Sequence, residues 1–129
     1  MGHIYADLTL SNPSKPDLRA VNIRAMADSG AVTLCIPQHI ALQLGLTPIE
    51  SREIVTADGQ KHTVPYVGPI KIQFDNRTSF AGAFVLGEDP LLGAIQMEDM
   101  DLVLFPREEK ITVNPNSPNI ACGKVMQFS

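Results

Sequence analysis

Cysteine is nearly absent from the sequence. Cys35 and Cys122 are the only two in 129 residues, too few for a disulfide framework. Neither has a basic neighbour in sequence to favour a thiolate, which argues against a thiol enzyme. Cys35, inside an apolar stretch, reads as a small buried hydrophobe. No run approaches the ~20 apolar residues that span a bilayer. No basic start leads into an apolar stretch, so no signal peptide is expected. These absences predict a soluble, cytoplasmic protein with no membrane partner. Nor is there a basic run: 10 Lys and Arg against 14 Asp and Glu leave a net charge of −4. Nothing is therefore built to neutralise phosphates, and no nucleic-acid partner is expected. His3, His39 and His62 are scattered without the spacing of a metal site. The acidic group Glu98, Asp99 and Asp101 lacks a loop of alternating oxygen ligands with a turn glycine. It reads as a solvated face, and neither a metal nor another cofactor is expected. Internal repeats and low-complexity tracts are missing too, and a chain of this length makes one globular domain with a real core.

What is present is turn chemistry, with ten prolines and nine glycines spread along the chain. Between them lie short apolar stretches. Residues 4–10 alternate as a strand, and 11–17 are loop by composition. Leu18 to Ala27 places Val21, Ile23 and Ala25 on one face and reads as a second strand running into Asp28. Val32 to Ile36 is β-branched and apolar, a third. Pro37 opens a helix whose inner face is Ile40, Ala41 and Leu44, and Gly45 ends it. Residues 54–56 and 62–64 flank Ala57-Asp58-Gly59-Gln60, a hairpin signal. Strands are also predicted at 69–74 and 80–86, with a turn at Asp75-Asn76-Arg77. Leu91-Leu92-Gly93 precedes a short helix over 94–100, followed by strands at 102–105 and 111–113. Residues 114–119 are irregular, and Ile120–Phe128 is compatible with a last strand. The class is mainly β with one or two short helices.

One break in this pattern carries chemistry. The second strand stops on Asp28-Ser29-Gly30-Ala31 and an apolar stretch resumes at once. Taken alone, Asp-Ser-Gly is an ordinary turn. Here it is followed by the Asp58-Gly59 hairpin some thirty residues on, and then by Leu91-Leu92-Gly93 and a helix. The ordered set resembles the retropepsin-like aspartic proteases, single-lobe relatives of pepsin. "ADSGAVTLCIPQHIALQLGL" (27–46) and "PLLGAIQMEDMDLVLFPREEKI" (90–111) are similar to the small prokaryotic and cellular members, and the likeness runs over residues 4–113.

The resemblance implies a small closed β-barrel occupying residues 1–113. Residues 114–129 would then be a linker and C-terminal strand, either at a dimer interface or wrapped on its own subunit. It implies an aspartic endopeptidase with Asp28 as catalytic carboxylate. Ser29, Gly30 and Ala31 would form the active-site loop, and Gly93 would be a structural glycine beneath it. The substrate-binding residues would be Val32, Leu91 and Leu92 in the pocket walls, with Asp58 and Gly59 in a flap over a polypeptide substrate. Amide hydrolysis without a metal or covalent intermediate needs a base for water and an acid for the leaving nitrogen. Two carboxylates sharing one proton supply both. This chain has only one Asp-Ser/Thr-Gly, since Ala57-Asp58-Gly59 lacks the hydroxyl residue. A homodimer is therefore implied. Two other readings remain open on the sequence: an inactive peptide-binding or dimerisation module on the same fold, and a β-barrel in which Asp28 only caps a turn.

Overall fold

The computed structural model describes residues 2–125. Its elements are β1 (Tyr5–Ser11), β2 (Val21–Ala27), β3 (Cys35–Ile36), α1 (Gln38–Gln43), β4 (Pro48–Val55), β5 (Lys61–Phe74), β6 (Arg77–Val85), β7 (Leu91–Leu92), α2 (Ala94–Asp99), β8 (Leu102–Phe105) and β9 (Lys110–Val113). Seven strands form one sheet in the order β1-β2-β7-β3-β6-β5-β4, and an extra β1–β5 pairing closes six of them into a ring. β4 stays outside the ring, and β8 and β9 make a separate hairpin. This is the mainly β architecture with two short helices that the sequence predicts.

Period-two patterning explains the ring. In β1, Ala6, Leu8 and Leu10 are buried between outward Tyr5, Asp7 and Thr9. Their inward faces meet Ala25, Leu34, Ile36, Ile70, Ile72 and Leu92 in one core. α1 adds Ile40, Ala41 and Leu44. It ends in two bonds, Gly45 N to Leu42 O and Leu46 N to Ala41 O, with Gly45 at φ +62. That is the helix stop expected of a glycine in the left-handed region. No helix among the described residues is long and apolar enough to cross a membrane.

Three expectations are corrected. The strand expected over Val32–Ile36 is only Cys35–Ile36. The Ala31 and Val32 carbonyls instead accept from the amides of Ala94 and Ile95, which removes them from any ladder. The strand expected from Leu18 begins at Val21, because Leu18 N turns back to Lys15 O. The runs 62–64 and 69–74 belong to one 14-residue strand, β5, whose register shifts between Val67 and Ile70 without ending it. The last expected strand shows no strand over residues 120–125, and residues 126–128 lie outside the described part.

The chain after β9 is bonded back to the rest of the domain as far as Cys122. Asn114 Nδ2 and Cys122 N both donate to the Asp101 carboxylate, at 3.1 and 3.0 Å. Asn76 Nδ2 donates to Pro118 O at 2.9 Å. Arg77, expected in a turn, instead opens β6 and is buried, and its guanidinium donates to the carbonyls of Met100 and Ser117.

Candidate active site

β2 and the short β7 run parallel, with Met26 opposite Leu91 and Ala27 opposite Leu92. The pairing continues one step further: Asp28 N donates to Leu92 O at 3.0 Å. The chain then turns over Asp28. Gly30 N donates to Asp28 Oδ1 at 2.8 Å, and Ala31 N donates to Asp28 O at 3.1 Å. A Cβ on Gly30 would lie 3.1 Å from that same carboxylate oxygen, closer than side chains normally pack. Local chemistry thus both forms the turn and points one carboxylate at a fixed angle.

The loop rests on β7 and α2. Gly93 lies so close beneath Thr33 that a Cβ there would come within 2.5–2.6 Å of Thr33 backbone atoms. The first amides of α2, which have no partners inside the helix, are taken by Ala31 O and Val32 O at 2.8 and 3.1 Å. Thr33 and Gln96, neither singled out by the sequence, meet behind the loop, Gln96 Nε2 donating to Thr33 Oγ1 at 2.7 Å. Their buried, paired amide and hydroxyl leave no mark on local periodicity.

Above the loop opens a cleft of about 630 Å³. Asp28, Ala31, Val32, Cys35, Phe84 and Leu91 line it together with residues 53–57 at the end of the β4–β5 hairpin. Ile54 packs into a small cluster with Cys35, Val64 and Phe84, which holds the hairpin against the ring. Lower down, Arg52 lies 3.8 Å over the Tyr66 ring and pairs with Glu50 at 2.8 Å. Among the described residues, Asp28 and Glu53 are the only carboxylates in the lining. Burial, and then the nearby Asp28, push the Cys35 thiol up, so it stands in the wall as a neutral group and not as a nucleophile.

The structure therefore brings together Asp28, Gly30, Ala31, Val32 and Leu91 around one cleft. Val32 is 59 % exposed there. Ser29 is exposed on the other side of the loop, beside Ala94, Met97 and Leu102–Leu104. Leu92 is corrected: it has no exposed surface and belongs to the core, since neighbouring strand residues face opposite ways. Asp58 and Gly59 lie at the tip of the hairpin, beyond the lining residues, with Gly59 at φ +82. His3, His39 and His62 are exposed, and among the described residues no three His, Cys, Asp or Glu side chains converge on a metal-sized site.

The Asp58 carboxylate organises the hairpin tip. It accepts from Thr56 Oγ1 at 2.5 Å and from Gln60 N at 3.1 Å, and those two bonds, the hydroxyl first, hold it below the usual carboxylate range. A depressed folded value means that the contribution is present above the unfolded value and lost as pH falls through the folded one. Amide exchange at Gln60, corrected for its intrinsic pH dependence, is therefore expected to speed up below the ordinary aspartate range while β5 stays protected. Asp58→Asn should remove that pH dependence, and an unchanged profile in the variant would refute the assignment.

No family model matches the sequence, and comparison with curated proteins finds no match. Among solved structures, the retroviral protease-like domain of Ddi1 from Leishmania major superposes with a TM-score of 0.61. It is 13 % identical, and the likeness covers 89 % of this chain and 90 % of that one. The chain therefore has a retroviral protease-like fold. At that identity the likeness concerns fold alone.

Proposed function

We propose that this protein is an aspartic endopeptidase acting as a homodimer, with Asp28 of each copy forming the acid/base pair. The observation that carries the proposal is the placement of Asp28. It lines a cleft together with the end of a β-hairpin, on a loop held by main-chain bonds from β7 and α2. One carboxylate of the pair is ionised and takes a proton from water as its oxygen attacks the peptide carbonyl. The other, protonated, donates toward the carbonyl oxygen. Collapse of the tetrahedral species delivers a proton to the amide nitrogen, and the C–N bond breaks.

Each chain supplies one such carboxylate, so the second comes from a copy across a two-fold axis. Next to the Asp28 loop, Ser29, Ala94, Met97 and Leu102–Leu104 line a shallow, mostly apolar groove that suits such a partner. The substrate runs extended under the hairpin. Among the described residues β4 pairs only with β5, which leaves its outer edge free to bind main chain as a further strand. The apolar walls Cys35, Phe84 and Leu91 favour apolar substrate side chains.

Cleavage of a peptide library across a dilution series tests this. Activity should fall more than proportionally as dimers dissociate, and a statine-type analogue of the tetrahedral species should bind tightly. Only a singly protonated pair holds both a base and an acid, so kcat/KM should trace a bell with its maximum on the acid side of neutrality. A sedimenting monomer that still cleaves would eliminate the shared pair. Peptide binding without cleavage at every concentration would identify an inactive binding module.

A further inference from the structure

Where the cleft lining meets α2, a buried polar pair takes no part in the chemistry above. Gln96 on α2 has no exposed surface, and Thr33, at the end of the Asp28 loop, is 7 % exposed. Gln96 Nε2 donates to Thr33 Oγ1 at 2.7 Å, and Thr33 Oγ1 donates in turn to Gly82 O on β6 at 3.4 Å. Gln96 Oε1 has no partner among the described residues. Turning the amide over would only leave Nε2 unpaired in its place.

Such a residue works against stability. An amide buried with one end unpaired bears the desolvation penalty of that end. Methionine has nearly the same volume and would fill the site without it. What a methionine lacks is direction. The main-chain bonds hold the loop at Asp28, Ala31 and Val32. Among the described residues, Thr33–Gln96 is the only side-chain bond between the loop and α2, and through Gly82 it ties both to β6.

We infer that Gln96 is a positioning residue: acting through Thr33, it sets the height of the Asp28 loop on α2 and β6. It thereby sets the separation of the two Asp28 carboxylates, a role that rests on the aspartic-protease function proposed above. Sharing one proton depends steeply on that separation, and displacements below an ångström at a reacting pair lower turnover about tenfold or more. Thr33 also lines the cleft whereas Gln96 does not, so a change in kcat at constant KM is expected of Gln96→Met.

Gln96→Met, Thr33→Val and the double variant test this, with thermal unfolding, amide exchange and kinetics measured on the same dimer. Gln96→Met should unfold no earlier than the wild type. Exchange at Gly30 and Ala31 should rise about tenfold while β1 and β5 keep their protection. kcat should fall about tenfold at nearly constant KM, with the alkaline limb of the pH profile displaced. Thr33→Val should reproduce the loosened loop, the double variant should add little to it, and Thr33→Ser should keep Gly30 and Ala31 protected. Unchanged exchange at Gly30 and Ala31 in Gln96→Met, or a loss of protection shared by the whole ring, would overturn the inference. If the wild type shows no turnover, the protease function fails by that result, while loop exchange still decides the role of Gln96.

Discussion

Asp28→Asn is expected to lower kcat by about 10³-fold or more, in keeping with the removal of a group that transfers protons in the transition state. The exchange is nearly isosteric. Asparagine keeps an oxygen to accept the 2.8 Å bond from Gly30 N, and the main-chain bonds of residue 28 to Leu92 and Ala31 do not involve the side chain. Folding and dimerisation should therefore survive. What is lost is the shared proton, because an amide can be neither the base for water nor the acid for the leaving nitrogen. Mixed dimers of wild-type and variant chains should be inactive as well, since one remaining carboxylate cannot do both tasks. Peptide cleavage, circular dichroism and sedimentation on the same preparation check all three expectations. Substantial residual turnover would remove Asp28 from the chemistry. Unfolding of the variant would make it a structural turn residue.

The largest effect on stability is expected at the opposite end of β6. Arg77 is 2 % exposed, and its Nε donates to Met100 O at 2.9 Å while Nη2 donates to Ser117 O. A single guanidinium thus ties the C-terminal end of α2 to the irregular segment 114–122, which Asp101 and Asn76 also hold. Arg77→Met keeps the aliphatic stem but leaves both carbonyls without their charged donor. Each hydrogen bond to a charged group contributes roughly 1.5–3 kcal/mol, about 3–6 kcal/mol for the two. The buried Nη1, which has no partner among the described residues, offsets part of it, so a loss of about 2–4 kcal/mol is expected. That is a large share of the ~5–15 kcal/mol that keeps a domain folded. Arg77→Lys should recover only part of it, because a point charge cannot reach two carbonyls in the fork geometry. Urea titration should show a lower midpoint with an unchanged slope. Phe84 in the cleft wall is seven residues away along the strand, roughly 23 Å at 3.3 Å per residue. The folded fraction should therefore keep its specific activity. A midpoint equal to that of the wild type would mean that the 114–122 segment is held by Asp101 and Asn76 alone.

These two residues differ sharply in how visible they are in the sequence. Asp28 is marked by its neighbours: a strand of period two runs into Asp-Ser-Gly, and the turn is closed by bonds between residues two and three apart. The same holds for the stop of α1 at Gly45, for the Asp58-Gly59 hairpin, and for the alternation of β1 and β2. Each rests on chemistry within a few residues, and so these two strands, these turns and the Asp28 loop are legible from local order alone. Leu91 and Leu92 lie at the limit. Both read as apolar, and only the pairing of Ala27 with Leu92 decides that one lines the cleft and the other fills the core.

Arg77, Thr33 and Gln96 lie beyond it. Arg77 reads as a turn residue because its partners are 23 and 40 positions away, and Thr33 meets Gln96 across 63. A polar side chain is buried only where its partner is brought to it, and that meeting is set by ring closure and by the packing of α2 under the loop. The sequence by itself determined the mainly β class, the alternation of β1 and where a carboxylate is held in a tight turn, because periodicity and turn geometry act between near neighbours. Only the tertiary structure decided which polar groups enter the interior and what lines the cleft, because hydrogen bonds and burial join residues that the chain keeps far apart.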